Sequence, residues 1–299
     1  MNIFLPLLII TLLQSVVAKN IAEIIKNKPR ASPTEIEHIQ LYSSVAEGVY
    51  SDEAADWSCE PCKRNPTMAT SQVVHFMNHE KRAHHSLIMV NKDLKAIILA
   101  YRGTDSLNGW VRDALALPVE LIHGPPKPEK KLRVHVEFQL IYETGREQVL
   151  KNLAQVFRHY PTFTVQIVGH SLGGALANLA AQDMAREFPT TKFVLTTYES
   201  PRVGNRAFAV MMNSIPNLVM YRVVHAKDPV TRLPPVILGY RHSGQEYWVP
   251  QAWTSEVLKC AYQVDSHEDH TCSRSVRFPT LSIKVHSAVY GYHYAEETS

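Results

Sequence analysis

The chain has 299 residues, 45% of them hydrophobic and 20% charged, which excludes a disordered or fibrous protein and is enough to bury the core of one α/β domain. A net charge of +3 at pH 7 is too mild for a nucleic-acid binder, and the aromatics do not interleave with basic residues, so no nucleic-acid partner is expected. The chain opens on an apolar run over residues 3–13, with Val16-Val17-Ala18 before Lys19. That pattern predicts a signal peptide over 1–18, a mature single domain over 19–299, and secretion to the extracellular space. The run is short for a transmembrane anchor, and its n-region lacks Lys and Arg beyond the amino terminus. Four cysteines, Cys59, Cys62, Cys260 and Cys272, suit an oxidising compartment. Three pairings are open; the local ones, Cys59–Cys62 and Cys260–Cys272, are expected. A metal at Cys59-Glu60-Pro61-Cys62 competes, but no second ligand pair stands nearby.

Ser32-Pro33-Thr34-Glu35 reads as the start of a helix, with Ser32 as N-cap and apolar residues at helical spacing over 35–49. Residues 57–62 read as a stapled loop. Strands are expected over 71–76, 86–90 and 95–101, with Asn91-Lys92-Asp93 turning between the last two. The nearby His75, His79, His84 and His85 read as loop and strand-edge residues, with no metal. Tyr101-Arg102-Gly103-Thr104 follows directly on the third strand. Leu107, Trp110 and Val111 then fall at i, i+3 and i+4, giving an amphipathic segment with one apolar face. A Pro- and Lys-rich loop over 123–131 leads to a strand over 132–136 and a long helix over 138–159, which ends before Pro161.

Residues 163–168 are apolar and β-branched. They meet Gly169-His170-Ser171-Leu172-Gly173, and a small-residue helix over 172–187 follows. This is the strand–turn–helix context of a nucleophile elbow. The turn is tight enough to strain the serine, and the helix start places free N–H groups beside its hydroxyl. A strand over 193–198 runs into Glu199-Ser200-Pro201-Arg202-Val203-Gly204-Asn205. Another over 219–224 runs into His225-Ala226-Lys227-Asp228-Pro229-Val230, which continues to Leu233-Pro234-Pro235. Near the C-terminus stands Val285-His286-Ser287, with Tyr290-Gly291 beyond it.

Together these motifs, from about residue 57 to 291, make a chain that resembles the class 3 lipases, the fungal triacylglycerol lipase family. The resemblance implies an α/β-hydrolase fold with a mostly parallel central sheet flanked by helices, a nucleophile elbow and a short helical lid. It implies Ser171 as nucleophile, Asp228 as triad acid and His286 as base, an oxyanion hole from Thr104 and Leu172, and a lid carrying Leu107, Trp110 and Val111. His286 is preferred to its rival His293 by its spacing to Tyr290-Gly291, although Val285 stands where the family has aspartate. His135 and His170 read as structural. Glu137 and Glu199 replace family glycines, and residues 239–243 and 246–249 match the family as a strand pair.

The implied activity is that of a secreted serine ester hydrolase, a lipase cleaving acylglycerol esters at a lipid–water interface, with no metal and no cofactor. The expected partners are an acylglycerol or other lipid ester substrate and a transient lipid surface; a monomer is expected. The alternatives are a phospholipase A1 or a soluble carboxylesterase of the feruloyl-esterase kind, with the same triad. More remote is a catalytically inactive binding protein.

Overall fold

A computed structural model describes residues 25–79, 84–104, 115–126, 128–250, 256–262, 264–276, 282–289 and 292–293. The expected signal peptide over 1–18 and the lid residues Leu107, Trp110 and Val111 lie outside the described residues.

Helix α1 spans Pro33–Gly48. Ser32 caps it as expected: the Glu35 N–H donates to Ser32 Oγ at 3.3 Å, and the Ser32 N–H donates to Glu35 Oε2 at 2.8 Å. Two free N–H groups of the first turn are thereby satisfied reciprocally. The helix begins earlier than its apolar periodicity because Pro33 presets the helical φ. The stapled loop expected over 57–62 runs at Glu60 into a short helix, α2 (Glu60–Arg64), and a second, α3 (Pro66–Ala69), follows it. Cys59 caps α2 by accepting the Cys62 N–H on its Sγ at 3.1 Å, and the two cysteines are bonded to each other.

Strands β1 (Gln72–His79), β2 (His84–Asn91) and β3 (Ala96–Tyr101) form an antiparallel run. After β4 (Pro118–Glu120) and β5 (Arg133–His135) come helix α4 (Val136–His159), β6 (Thr164–His170), helix α5 (Leu172–Glu187), β7 (Phe193–Tyr198), β8 (Gly204–Asn205) and helix α6 (Arg206–Asn213). The remaining strands are β9 (Leu218–His225), β10 (Tyr240–Arg241), β11 (Gln245–Val249), β12 (Leu258–Lys259), β13 (Ala288–Val289) and β14 (Tyr292–His293).

The main sheet has the order β1-β2-β3-β6-β7-β9-β11-β12. Its centre, β3 through β11, is parallel; the β1, β2 and β12 margins are antiparallel. Residues 239–243 and 246–249 do not pair with each other, contrary to the sequence expectation. Tyr240 and Arg241 of β10 pair with β8 in a second sheet of order β10-β8-β5-β4, whereas β11 pairs with β9 and β12. Gly244, at φ 82°, stands between the two strands, where the chain leaves one sheet for the other.

The period of two along each strand sorts the core into two halves. From β3, Ile97, Leu99 and Tyr101 face α4 and α5, while Ala96, Ile98 and Ala100 face α1. Helix α5 is buried along its length from Leu172 to Ala185. It lies between the sheet and α4, where its five alanines and two glycines let the layers approach closely. A buried carboxylate locks the two helices together: Asp183 accepts from the Tyr142 hydroxyl at 2.9 Å and from Arg146 at 2.6 and 3.1 Å.

The segment after β12 is tied down by the Cys260–Cys272 disulfide and by Glu268, which takes both arms of the Arg202 guanidinium at 2.7 Å. Among the described residues no helix is long and apolar enough to cross a membrane.

Candidate active site

Parallel strands present their C-terminal ends on one rim, so groups far apart in the chain converge there. Four such ends matter: Thr104 after β3, Ser171 after β6, Glu199 after β7 and Asp228 after β9. Tyr101 of β3 pairs with Gly169 of β6, so Thr104 and Leu172 each stand three residues past a matched position.

Ser171 sits between β6 and α5 with φ 55° and ψ −128°, the strained turn expected of an elbow. Two glycines make that turn possible. A Cβ on Gly169 would lie 2.2 Å from the Gly173 carbonyl oxygen, and a Cβ on Gly173 would lie 2.2 Å from the Tyr101 carbonyl oxygen. Only bare backbone fits where strand, turn and helix approach so closely. The Ser171 N–H donates to the Tyr198 carbonyl at 3.0 Å, which pins the elbow to β7. Leu172, in the first turn of α5, has no carbonyl behind it in the helix, so its N–H is available to an anion on this rim.

The structure brings Ser171, His286 and Asp228 into one chain of hydrogen bonds. His286 Nε2 is 2.7 Å from Ser171 Oγ, and His286 Nδ1 is 2.8 Å from Asp228 Oδ2. A carboxylate oxygen can only accept, so Nδ1 carries the proton and Nε2 is left to accept from the serine hydroxyl. All three side chains are buried. Asp228 is held by the Val230 N–H, which donates to Oδ1 at 2.8 Å, and by the Thr231 hydroxyl, which donates to its main-chain carbonyl at 3.1 Å. His286 closes a short 3-10 turn over Ile283–Val285. The rival His293 lies on β14; it is His286 that meets Ser171.

His170 explains how a histidine on a loop is fixed. Its Nε2 donates to the His286 carbonyl at 2.9 Å, and its Nδ1 accepts from the Tyr50 hydroxyl at 2.9 Å. Burial, followed by the neighbouring His286, pushes its imidazole well below the ordinary histidine range, against the hydrogen bond to His286. His170 is therefore neutral, with one tautomer. The elbow thus carries the serine and also anchors the backbone of the residue that meets it. His135 is buried and stacks on Phe138 at 4.3 Å, away from the serine.

Two residues of this site carry little sequence signal. Tyr50 lies just past α1, far from any motif, and only the fold brings its hydroxyl to His170. Glu199 is visible in sequence as a charged residue at a strand end, but nothing there reveals that it is fully buried. The thiols offer no free ligand among the described residues. Cys260 and Cys272 are bonded to each other beside Glu246, and Cys59 and Cys62 are likewise paired.

Known proteins match this arrangement. A family model described as Lipase (class 3) matches residues 98–238. A lipase of Rhizomucor miehei is 27% identical over 87% of this chain and 70% of its own length. The secreted mono- and diacylglycerol lipase A of Penicillium cyclopium is 36% identical over 54% of this chain. The aligned segment spans only 50% of that Penicillium protein. A solved triacylglycerol lipase, whose catalytic centre is formed by a serine protease triad, superposes with a TM-score of 0.79 at 27% identity, covering 88% of this chain and 97% of its own. The matched segment contains the elbow, the Arg-Gly-Thr loop and Asp228, and the shared fold extends well beyond it. The chain accordingly has the α/β-hydrolase fold of these lipases and is similar, over the matched segment, to the class 3 lipases, which are carboxylic ester hydrolases.

Proposed function

We propose that the chain is a secreted lipase that cleaves acylglycerol esters at a lipid–water interface through an acyl-enzyme. The observation that carries this reading is the continuous hydrogen-bond chain from Ser171 through His286 to Asp228, at 2.7 and 2.8 Å. His286 Nε2 takes the Ser171 proton as Oγ attacks the ester carbonyl, then gives it to the departing alcohol. Asp228 holds Nδ1–H and stabilises the imidazolium. The main-chain N–H groups of Thr104 and Leu172 stabilise the tetrahedral oxyanion, each by about 3 kcal/mol. Water activated by the same His286 then frees the acid.

The mono- and diacylglycerol specificity in the name of the Penicillium relative and the triacylglycerol activity of the solved relative support an acylglycerol substrate. Leu107, Trp110 and Val111, at helical spacing, supply the apolar face that would turn to a lipid surface. The test is hydrolysis of a short-chain triglyceride across its solubility limit, with Ser171→Ala as the blank. The rate is expected to jump once the substrate separates as a lipid phase. Smooth saturation below the limit would replace this reading with a soluble carboxylesterase.

A further inference from the structure

Glu199 differs from every other residue on the rim. It is fully buried at the end of β7 and holds φ 48°, a left-handed conformation that is strained for a non-glycine residue. Its N–H is fixed to the Val223 carbonyl at 3.0 Å. Neither carboxyl oxygen makes a hydrogen bond of regular geometry. Strain and unsatisfied burial together mark a site where the residue serves something other than folding.

Its surroundings show what that is. Glu199 Oε2 lies 3.6 Å from His170 Nε2, the same atom whose proton is engaged at 2.9 Å by the His286 carbonyl. Among the described residues, the titratable groups around the carboxyl are His170 from the elbow, His225 at the end of β9 and Asp228 in the loop beyond, with His286 behind them. His170 is neutral and committed elsewhere, so it offers Glu199 no positive charge. Burial, then the negative charge of Asp228, push the Glu199 carboxyl well above the usual carboxylate range, against the backbone of His225. Both causes favour the protonated, neutral form of the carboxyl.

Resting on the triad reading above, we propose that Glu199 is a positioning residue of the triad: as a neutral acid packed against His170, it leaves Asp228 the single anion behind His286 and leaves the His170 N–H on the His286 carbonyl. An ionised Glu199 would do the opposite. Its oxygen is close enough to His170 to compete for that N–H, which would loosen the backbone of the base. It would also set a second negative charge near a reaction that develops an oxyanion.

The test is kcat and KM for p-nitrophenyl butyrate from about pH 6 to about pH 10, on the wild type, Glu199→Gln, Glu199→Ala and Ser171→Ala. The wild type is expected to lose kcat at an alkaline inflection that Glu199→Gln lacks. Glu199→Ala is expected to lower kcat about tenfold at every pH with KM within about twofold, and the amide to restore it to within about threefold of wild type. A thermal melt accompanies each variant; if Glu199→Ala does not fold, the Glu199→Gln profile decides alone. An inflection that persists in Glu199→Gln overturns the proposal, as does an amide as impaired as the alanine. Hydrolysis surviving in Ser171→Ala would instead overturn the triad reading, and the proposal with it.

Discussion

Two histidines compete in the sequence for the role of base, and a single distance separates them in the structure. His286 Nε2 is 2.7 Å from Ser171 Oγ, so His286→Ala is expected to lower kcat by about 10⁴-fold or more. His293→Ala should change it by less than about tenfold in the same p-nitrophenyl ester assay. The reverse order would reassign the base. Glu199 yields a prediction about stability as well as rate. Its folded-state proton affinity is raised, so between its ordinary value and its folded value the native state holds a proton that the unfolded state has released. Wild-type stability therefore falls as pH rises above about 4.5. Glu199→Gln does not titrate, so its melting temperature should match wild type near pH 4 and exceed it increasingly toward pH 8. Equal melting curves at both pH values would mean that the acid is not held neutral. Ser171 stood out as a candidate in the sequence through its Gly-x-Ser-x-Gly turn, whereas Asp228 did so only through the family motif around it, since Asp-Pro alone reads as an ordinary turn. Tyr50 and the burial of Glu199 were not, because their roles arise from contacts between segments far apart in the chain.

At the scale of elements, strand–turn–helix junctions carry the function and caps carry stability. Gly173→Ala would drive a Cβ into the Tyr101 carbonyl at 2.2 Å, a contact between two backbones that cannot be relieved by a side-chain rotation. It is expected to displace the elbow and lower kcat at least about tenfold. Ser32→Ala removes one cap hydrogen bond at the far end of α1. It should cost about 1 kcal/mol of stability and leave kcat unchanged, measured by thermal melts and ester turnover side by side. The long elements were legible: α5 and β7 fall where the apolar pattern put them, β3 within one residue of it and β6 within two. The pairing of 239–243 with 246–249 was expected from the family motifs and not from the residues themselves. What separates them is Gly244 at φ 82°, and alternation says nothing about which neighbour a strand will choose.

For the molecule as a whole, the buried ion pair between Arg202 and Glu268 joins the loop after β7 to the disulfide-closed segment over 260–272. Burial alone would raise the Glu268 carboxyl; the Arg202 hydrogen bonds and charge outweigh it and hold the group well below the usual range. Asp269 is likewise held down at about 2, its burial outweighed by Lys28 and its other hydrogen bonds. Both contribute stability that is present above their ordinary values and is lost as pH falls through the folded ones, so acid unfolding should set in below about pH 4. Arg202→Ala, which strands a buried carboxylate, is expected to cost about 3 to 5 kcal/mol and to move that acid transition to higher pH, as followed by circular dichroism. An unshifted transition would show that the pair does not govern it.

His286 follows Ser171 by 115 positions and Asp228 by 58, and it is held to the sheet through His170. A ribosome therefore makes the nucleophile and the acid well before the base exists. On the proposed reading, a nascent or prematurely terminated chain is chemically inert however well its sheet has formed. Ester cleavage then begins only when the late segment docks on the elbow, so activity waits for nearly the whole chain to be made.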